Sequence, residues 1–175
     1  MSLVAVIHVA LGLLALVAGL VIFLLRKGTG LHKQLGYVYL FAMLGLNGTA
    51  LLIYRLFGSF GPFHVLALVS LGTLLAGYVP VFFRRPENRW LRNHYFGMGW
   101  SYICLLAATA AEIAVRLPLS QRATGGTFFA ATFFSSFAVV LVGGWLLLRL
   151  RRRALRPFEP PEKLEPSPDT QEVLS

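Results

Sequence analysis

The chain has 175 residues, 57% of them hydrophobic and 13% charged, and its mean hydropathy is +0.69. A soluble domain carries about a quarter charged residues, so this composition excludes an ordinary water-soluble globule and points to the bilayer. The net charge of +9 would suit a nucleic-acid binder, but the basic residues cluster at the ends of apolar segments, which excludes nucleic acid as a partner.

A membrane-spanning helix needs roughly 20 apolar residues. Five segments supply them: residues 3–25, 35–57, 62–83, 95–115 and 127–148. Residues 1–150 therefore read as an all-α integral membrane domain with five transmembrane helices. The first segment lacks a basic leader, and Arg26-Lys27 follows it where a signal peptide would have a small-residue cleavage site. It is expected to be a retained helix. Gly28-Thr29-Gly30 breaks the chain before the second helix. Gly58 to Pro62 makes a tight turn into the third, with Pro62 suited to a first helical turn. Pro80 is expected to kink that helix, and Arg85-Pro86-Glu87-Asn88 forms the next turn. The fourth helix carries Cys104; one cysteine excludes an internal disulfide and a cysteine-based metal cluster. A longer loop over 117–126, with Pro118 and Gly125-Gly126, precedes the fifth.

The fifth helix is rich in phenylalanine (Phe128, Phe129, Phe133, Phe134, Phe137) and has no histidine, so it reads as a peripheral helix packed on the bundle or on a partner. Short connections predict that helices one to four form an antiparallel bundle. Residues 157–175 alternate proline with Glu159, Glu162, Glu165, Asp169 and Glu172, and are expected to be a disordered cytoplasmic tail.

Charge sets the expected orientation. Arg26, Lys27 and Lys33 follow helix one; Arg84, Arg85, Arg89 and Arg92 separate helices three and four; Arg149, Arg151, Arg152, Arg153 and Arg156 follow helix five. Arg55, Arg116 and Arg122 oppose them. The positive-inside rule puts the N-terminus outside and the C-terminus in the cytoplasm, with the basic clusters anchored on anionic lipid headgroups.

The four histidines carry the chemistry. With this topology His8 and His64 lie near the outer face, and His32 and His94 near the inner face. Helices one and three, and two and four, are diagonal in a consecutive bundle. Facing side chains of this kind build cofactor sites in bundles, and imidazole is an axial ligand for haem iron. The pairs His8/His64 and His32/His94 are therefore candidate ligands for two b haems. Gly12 and Gly36 stand one turn along from His8 and His32 on the same helix face, leaving room for a macrocycle; small residues at this spacing also serve plain helix packing in lipid. Arg26 follows His8, and Glu112 follows His94, by about 18 residues, or five turns at about 3.6 residues each. Arg26 is thereby expected beside the inner pair as a propionate partner, with Lys27, Lys33 and Arg92. Glu112 is expected at the outer level, as a candidate proton or substrate group or in an ion pair with Arg55 or Arg116, because a carboxylate in the membrane is costly unless paired or used. Tyr37 and Tyr95 are expected at the inner pocket and Tyr102 in the bundle interior. Two other readings of the histidines stay open: a non-haem metal or proton site, and a purely structural role. Zinc would need further ligands.

The segments HVALGLLALVAG, KGTGLHKQLGYVY, GPFHVLALVSLGTL and NHYFGMGWSY resemble a bacterial family of predicted membrane proteins carried as domain of unknown function 2306. The resemblance covers helices one to four, roughly residues 4 to 115, with helix five and the tail outside it, and implies no established activity. The arrangement is also similar in architecture to the cytochrome b561 type, in which four histidines on four helices hold two b haems and pass electrons across the membrane. That similarity implies a membrane oxidoreductase or electron-transfer subunit in the bacterial inner membrane, with a quinone or a redox protein as partner. The rival expectation is a non-catalytic anchor or assembly subunit that meets a larger complex through helix five or the tail.

Overall fold

The computed structural model describes residues 2–53, 58–85, 89–116 and 125–155, with the backbone alone at 115, 116 and 127–129. Arg55, Arg122, the 117–124 loop, the side chains of Arg116, Phe128 and Phe129, and the 157–175 tail lie outside the described residues. The described elements are five α-helices: α1 (Leu3–Leu24), α2 (Gly30–Leu51), α3 (Pro62–Phe83), α4 (Trp90–Arg116) and α5 (Gly125–Leu155).

Local chemistry fixes their ends. The Ser2 hydroxyl accepts the Ala5 N–H and opens α1, as an N-cap serine does. At the other end the Lys27 ammonium donates to the carbonyls of Ile22 (2.6 Å) and Phe23 (3.0 Å), satisfying acceptors that the helix leaves open. Burial there pushes the Lys27 amine below its usual pKa. Gly28, at φ 80°, turns the chain in the left-handed region that glycine tolerates. Thr29 then caps α2 by accepting the His32 N–H. This cap starts α2 at Gly30 rather than at residue 35, and so places His32 inside its first turn. Pro62 opens α3 behind the N-cap Gly61, and α3 continues through Pro80 to Phe83.

Among these helices α1, α3, α4 and α5 are long and apolar enough to cross a membrane. α2 is as long as α1 but carries Gln34, Asn47 and Thr49, which lower its hydropathy. Gln34 is exposed near the start of the helix, Thr49 is half-buried, and Asn47 is buried and donates to the Met43 carbonyl. The outer surface is apolar. Val17 is 62%, Phe41 68% and Phe134 66% exposed, a surface that marks a membrane or partner interface.

Helices consecutive in the chain pack on one another, α1 also touches α4, and the backbones of α1 and α3, and of α2 and α4, do not come close among the described residues. α5 lies against α4 alone among the described helices. Contacts between α1 and α2 pair His8 with Thr49, Gly12 with Leu46 and Gly19 with Tyr39. α4 buries two faces. Gly97, Ser101 and Leu105 look toward α2 and α3: Gly97 meets Gly77 backbone to backbone, and Ser101 meets Tyr39. Gly99, Ile103 and Ala107 look toward α5, where they meet Leu147, Gly143 and Ser136.

The core is Ala15, Ala18, Tyr39, Leu40, Ala42, Met43, Leu46, Leu74 and Leu105. The Tyr39 hydroxyl shares a 3.0 Å hydrogen bond with Ser101, both almost wholly buried. Tyr39→Phe is expected to lower stability by about 1–2 kcal/mol because it leaves the Ser101 hydroxyl without its partner. Tyr39→Phe combined with Ser101→Ala is expected to recover most of that loss. Thermal melts of the parent, Tyr39→Phe, Ser101→Ala and the double variant in one detergent check this; additive losses would contradict it.

Candidate functional site

His32, on the first turn of α2, and His94, on the second turn of α4, reach across the bundle diagonal. Their ring centroids stand 6.4 Å apart with the planes at 85°. A metal–imidazole bond of about 2.0–2.1 Å puts each ring centre about 3 Å from the metal, so two imidazoles on opposite sides of one ion have centroids about 6 Å apart. The spacing fits a shared ion with little adjustment.

The proton positions follow from the partners. His94 Nδ1 lies 3.0 Å from the Gly77 carbonyl. A carbonyl only accepts, so Nδ1 carries the proton and the lone pair is on Nε2. Second-shell bonds of this kind orient metal-binding histidines and raise their basicity. The bond exists because Gly77 and Gly97 bring α3 and α4 together: a Cβ on Gly77 would stand 2.5 Å from the Met98 nitrogen. His32 Nδ1 is buried and has no hydrogen-bond partner among the described residues. Such an atom costs about 1–3 kcal/mol if left unmet, which a bound metal or a donor would offset.

The other pair is built differently. His8 Nδ1 is 3.0 Å from the Thr49 hydroxyl, which is 2.9 Å from each of the Gly45 and Leu46 carbonyls. The hydroxyl gives its one proton to a carbonyl, accepts from His8 Nδ1–H, and so leaves the lone pair on His8 Nε2. His64 has the opposite tautomer. The Gly61 N–H donates to its Nδ1 at 3.0 Å, so the neutral ring carries its proton on Nε2. His64 acts as the third-position partner of a capping box, bonding back to the N-cap N–H. It is 3% exposed and stacks on Phe60 at 5.0 Å. Ligation through Nε2 would require this ring to exchange its proton and release the cap of α3.

The remaining candidates divide. Lys27 stays close to the His32/His94 pair, near enough to act on His32 electrostatically. Arg26 is exposed beyond the end of α1, because the helix stops at Leu24 and helical phase no longer carries it. Lys33 and Arg92 are exposed at the same end of the molecule. No side chain approaches within 4 Å of the space a Gly36 Cβ would fill, whereas Gly12 packs on Leu46. Tyr37 meets Tyr78 edge-on. Tyr95 donates to the Leu147 carbonyl and so ties α4 to α5. Tyr102 is inside the bundle as expected, donating to the Leu16 carbonyl. Glu112 is half-buried near the far end of α4, and its expected partners Arg55 and Arg116 lie outside the described side chains. No group of three or more His, Cys, Asp or Glu side chains that could hold a metal ion occurs among the described residues.

Sequence reasoning missed Thr49, Gly61, Gly77 and Gly97, which orient or seat the histidines. The small residues of Gly97-x-x-x-Ser101 and Gly45-x-x-x-Thr49 were the available signal, because such spacing lets helices approach closely.

These features define a multi-helix integral membrane protein with a histidine pair at one end of its bundle. The chain belongs to the family described as Predicted membrane protein (DUF2306), whose model matches residues 5–152. The match takes in α5 as far as residue 152 and so extends beyond the resemblance over residues 4 to 115. No curated protein and no solved structure matches the chain.

Proposed function

We propose that this protein is a b-type electron-transfer protein of the bacterial inner membrane, with an inner haem held by His32 and His94 and a second by His8 and His64. The observation that carries the reading is the 6.4 Å spacing of the His32 and His94 rings, with His94 held by Gly77 so that Nε2 offers its lone pair. Two protein ligands suffice when a macrocycle supplies the rest, whereas zinc needs three or four from the chain. Bound haem would supply one-electron chemistry.

The chain's own part is to orient and bury the ligands. The Gly77 carbonyl makes His94 a stronger donor, and Lys27 supplies a cation for a haem carboxylate, with Lys33, Arg92 and Arg26 further out. At the second site His8 is already in the binding tautomer and His64 is not, so this site is expected to fill less readily. The reading takes α1–α4 as an antiparallel bundle whose four histidines would hold two haems, as in the cytochrome b561 type, and adds α5 on its flank for five spans in all. The opposed pairing of α1 with α2 supports that arrangement. The positive-inside pattern supports an outer N-terminus and a cytoplasmic C-terminus. A quinone or a redox protein would be the partner.

Protein purified from haem-replete cells is expected to show a Soret band and, after dithionite, a b-type α band. A colourless protein would overturn the haem reading and leave the anchor or assembly role, for which the exposed aromatic face of α5 is the supporting feature.

A further inference from the structure

α5 meets α4 through Gly143 and Gly144, which take the side chains of Ile103 and Trp100. Beside that seam runs an open groove lined by Leu106, Ala138, Val139, Val142, Gly143 and Leu146. Its volume of about 360 Å³ is at the small end of the range for ligand sites, about 300–1,000 Å³. The lining is wholly apolar, so it suits a hydrocarbon chain.

The groove does not end in apolar surface. Arg149 follows Val142 by seven residues, which is two helical turns and therefore the same face. Its guanidinium lies 5.0 Å from the centre of the Trp145 ring, a cation–π contact that steadies it. α5 continues as one helix to Leu155, carrying exposed Arg151, Arg152 and Arg153. Through the Tyr95–Leu147 bond, the start of α4 with Arg92 joins the same end. Glu112, the acidic residue among those described, is toward the other end of α4. An apolar trough that opens onto unopposed cations matches a molecule with a hydrocarbon tail and an anionic head. A quinone has the tail but lacks the charge.

We propose that the α4–α5 groove is a binding site for an anionic phospholipid, with one acyl chain along Ala138, Val142 and Leu146 and its phosphate on Arg149. The site is independent of haem.

Native mass spectrometry of the delipidated full chain, with dioleoyl phosphatidylglycerol or dioleoyl phosphatidylcholine added back, tests this. Phosphatidylglycerol adducts are expected to predominate. Arg149→Gln is expected to weaken them about fivefold, the factor equivalent to the roughly 1 kcal/mol that one basic residue contributes at an anionic surface. Ala138→Phe, which fills the groove, is expected to reduce retention of both lipids. Melting curves that match the parent establish that both variants are folded. Equal retention of the two lipids would overturn the proposal, as would indifference to Ala138→Phe. Displacement of phosphatidylglycerol by a long-chain quinone would assign the groove to an isoprenoid tail instead.

Discussion

On the proposed haem reading, His94→Ala purified from haem-replete cells is expected to lose most of the inner haem. The haem-to-protein ratio should fall by half if both sites are filled in the parent, and to near zero if only the inner site is. Alanine removes the Nε2 lone pair that Gly77 holds in place, and His32 is left as one ligand with its partner ring gone. With one of the two imidazoles gone, haem that stays in the site would be expected to change spin state and shift its Soret band. Imidazole added to the solution should enter the vacated space and restore the parent spectrum, which a misfolded protein could not do. The measurement is the reduced-minus-oxidised spectrum together with haem and protein quantitation. An unchanged ratio and spectrum would show that His94 is not a ligand. His64→Ala is expected to have the smaller effect, because the parent ring is engaged through Nδ1 with the α3 cap and carries its proton on the nitrogen a metal would need.

The contrast between these histidines shows which parts of the site the sequence could reveal. That His32 and His94 meet was legible from topology alone. Two basic turns follow helices one and three, the connections are short, and each histidine stands near the start of its helix. Their tautomers were not legible, because these depend on Gly77, Thr49 and Gly61, whose backbone or hydroxyl groups come from other helices or from the turn before α3. Arg26 shows a different limit. Its phase with His8 assumed that α1 continues, but a helix end is set by capping, and here Lys27 bonds back to Ile22 and Phe23. Lys27 thereby takes the place beside His32 that phase had given to Arg26. The start of α2 escapes a hydropathy reading for a related reason. His32, Lys33 and Gln34 look like loop in a hydropathy reading, yet Thr29 caps the helix before them. The long apolar helices α1, α3, α4 and α5, in contrast, follow from hydrocarbon thickness and need no such detail.

Gly97→Ala is expected to destabilise the protein by about 2–3 kcal/mol, the cost of overpacking a tight contact. The added Cβ would fall on the backbone of Gly77, within 2.9 Å of the Ala76 carbonyl carbon as well, and backbone cannot rotate away as a side chain can. Relief requires α3 and α4 to separate, and that separation draws the Gly77 carbonyl from His94. The two losses are therefore coupled: the thermal midpoint should fall and the haem occupancy of the inner site should fall with it. Gly72→Ala is the matched control on the same helix pair. A Cβ there meets nothing within 4 Å, so the change should raise stability by up to about 1 kcal/mol through helix propensity alone. Circular-dichroism melts of the two variants against the parent, in one detergent, measure the difference. If Gly97→Ala melts like Gly72→Ala, the α3–α4 contact is not the close backbone crossing described, and the orientation of His94 by Gly77 falls with it.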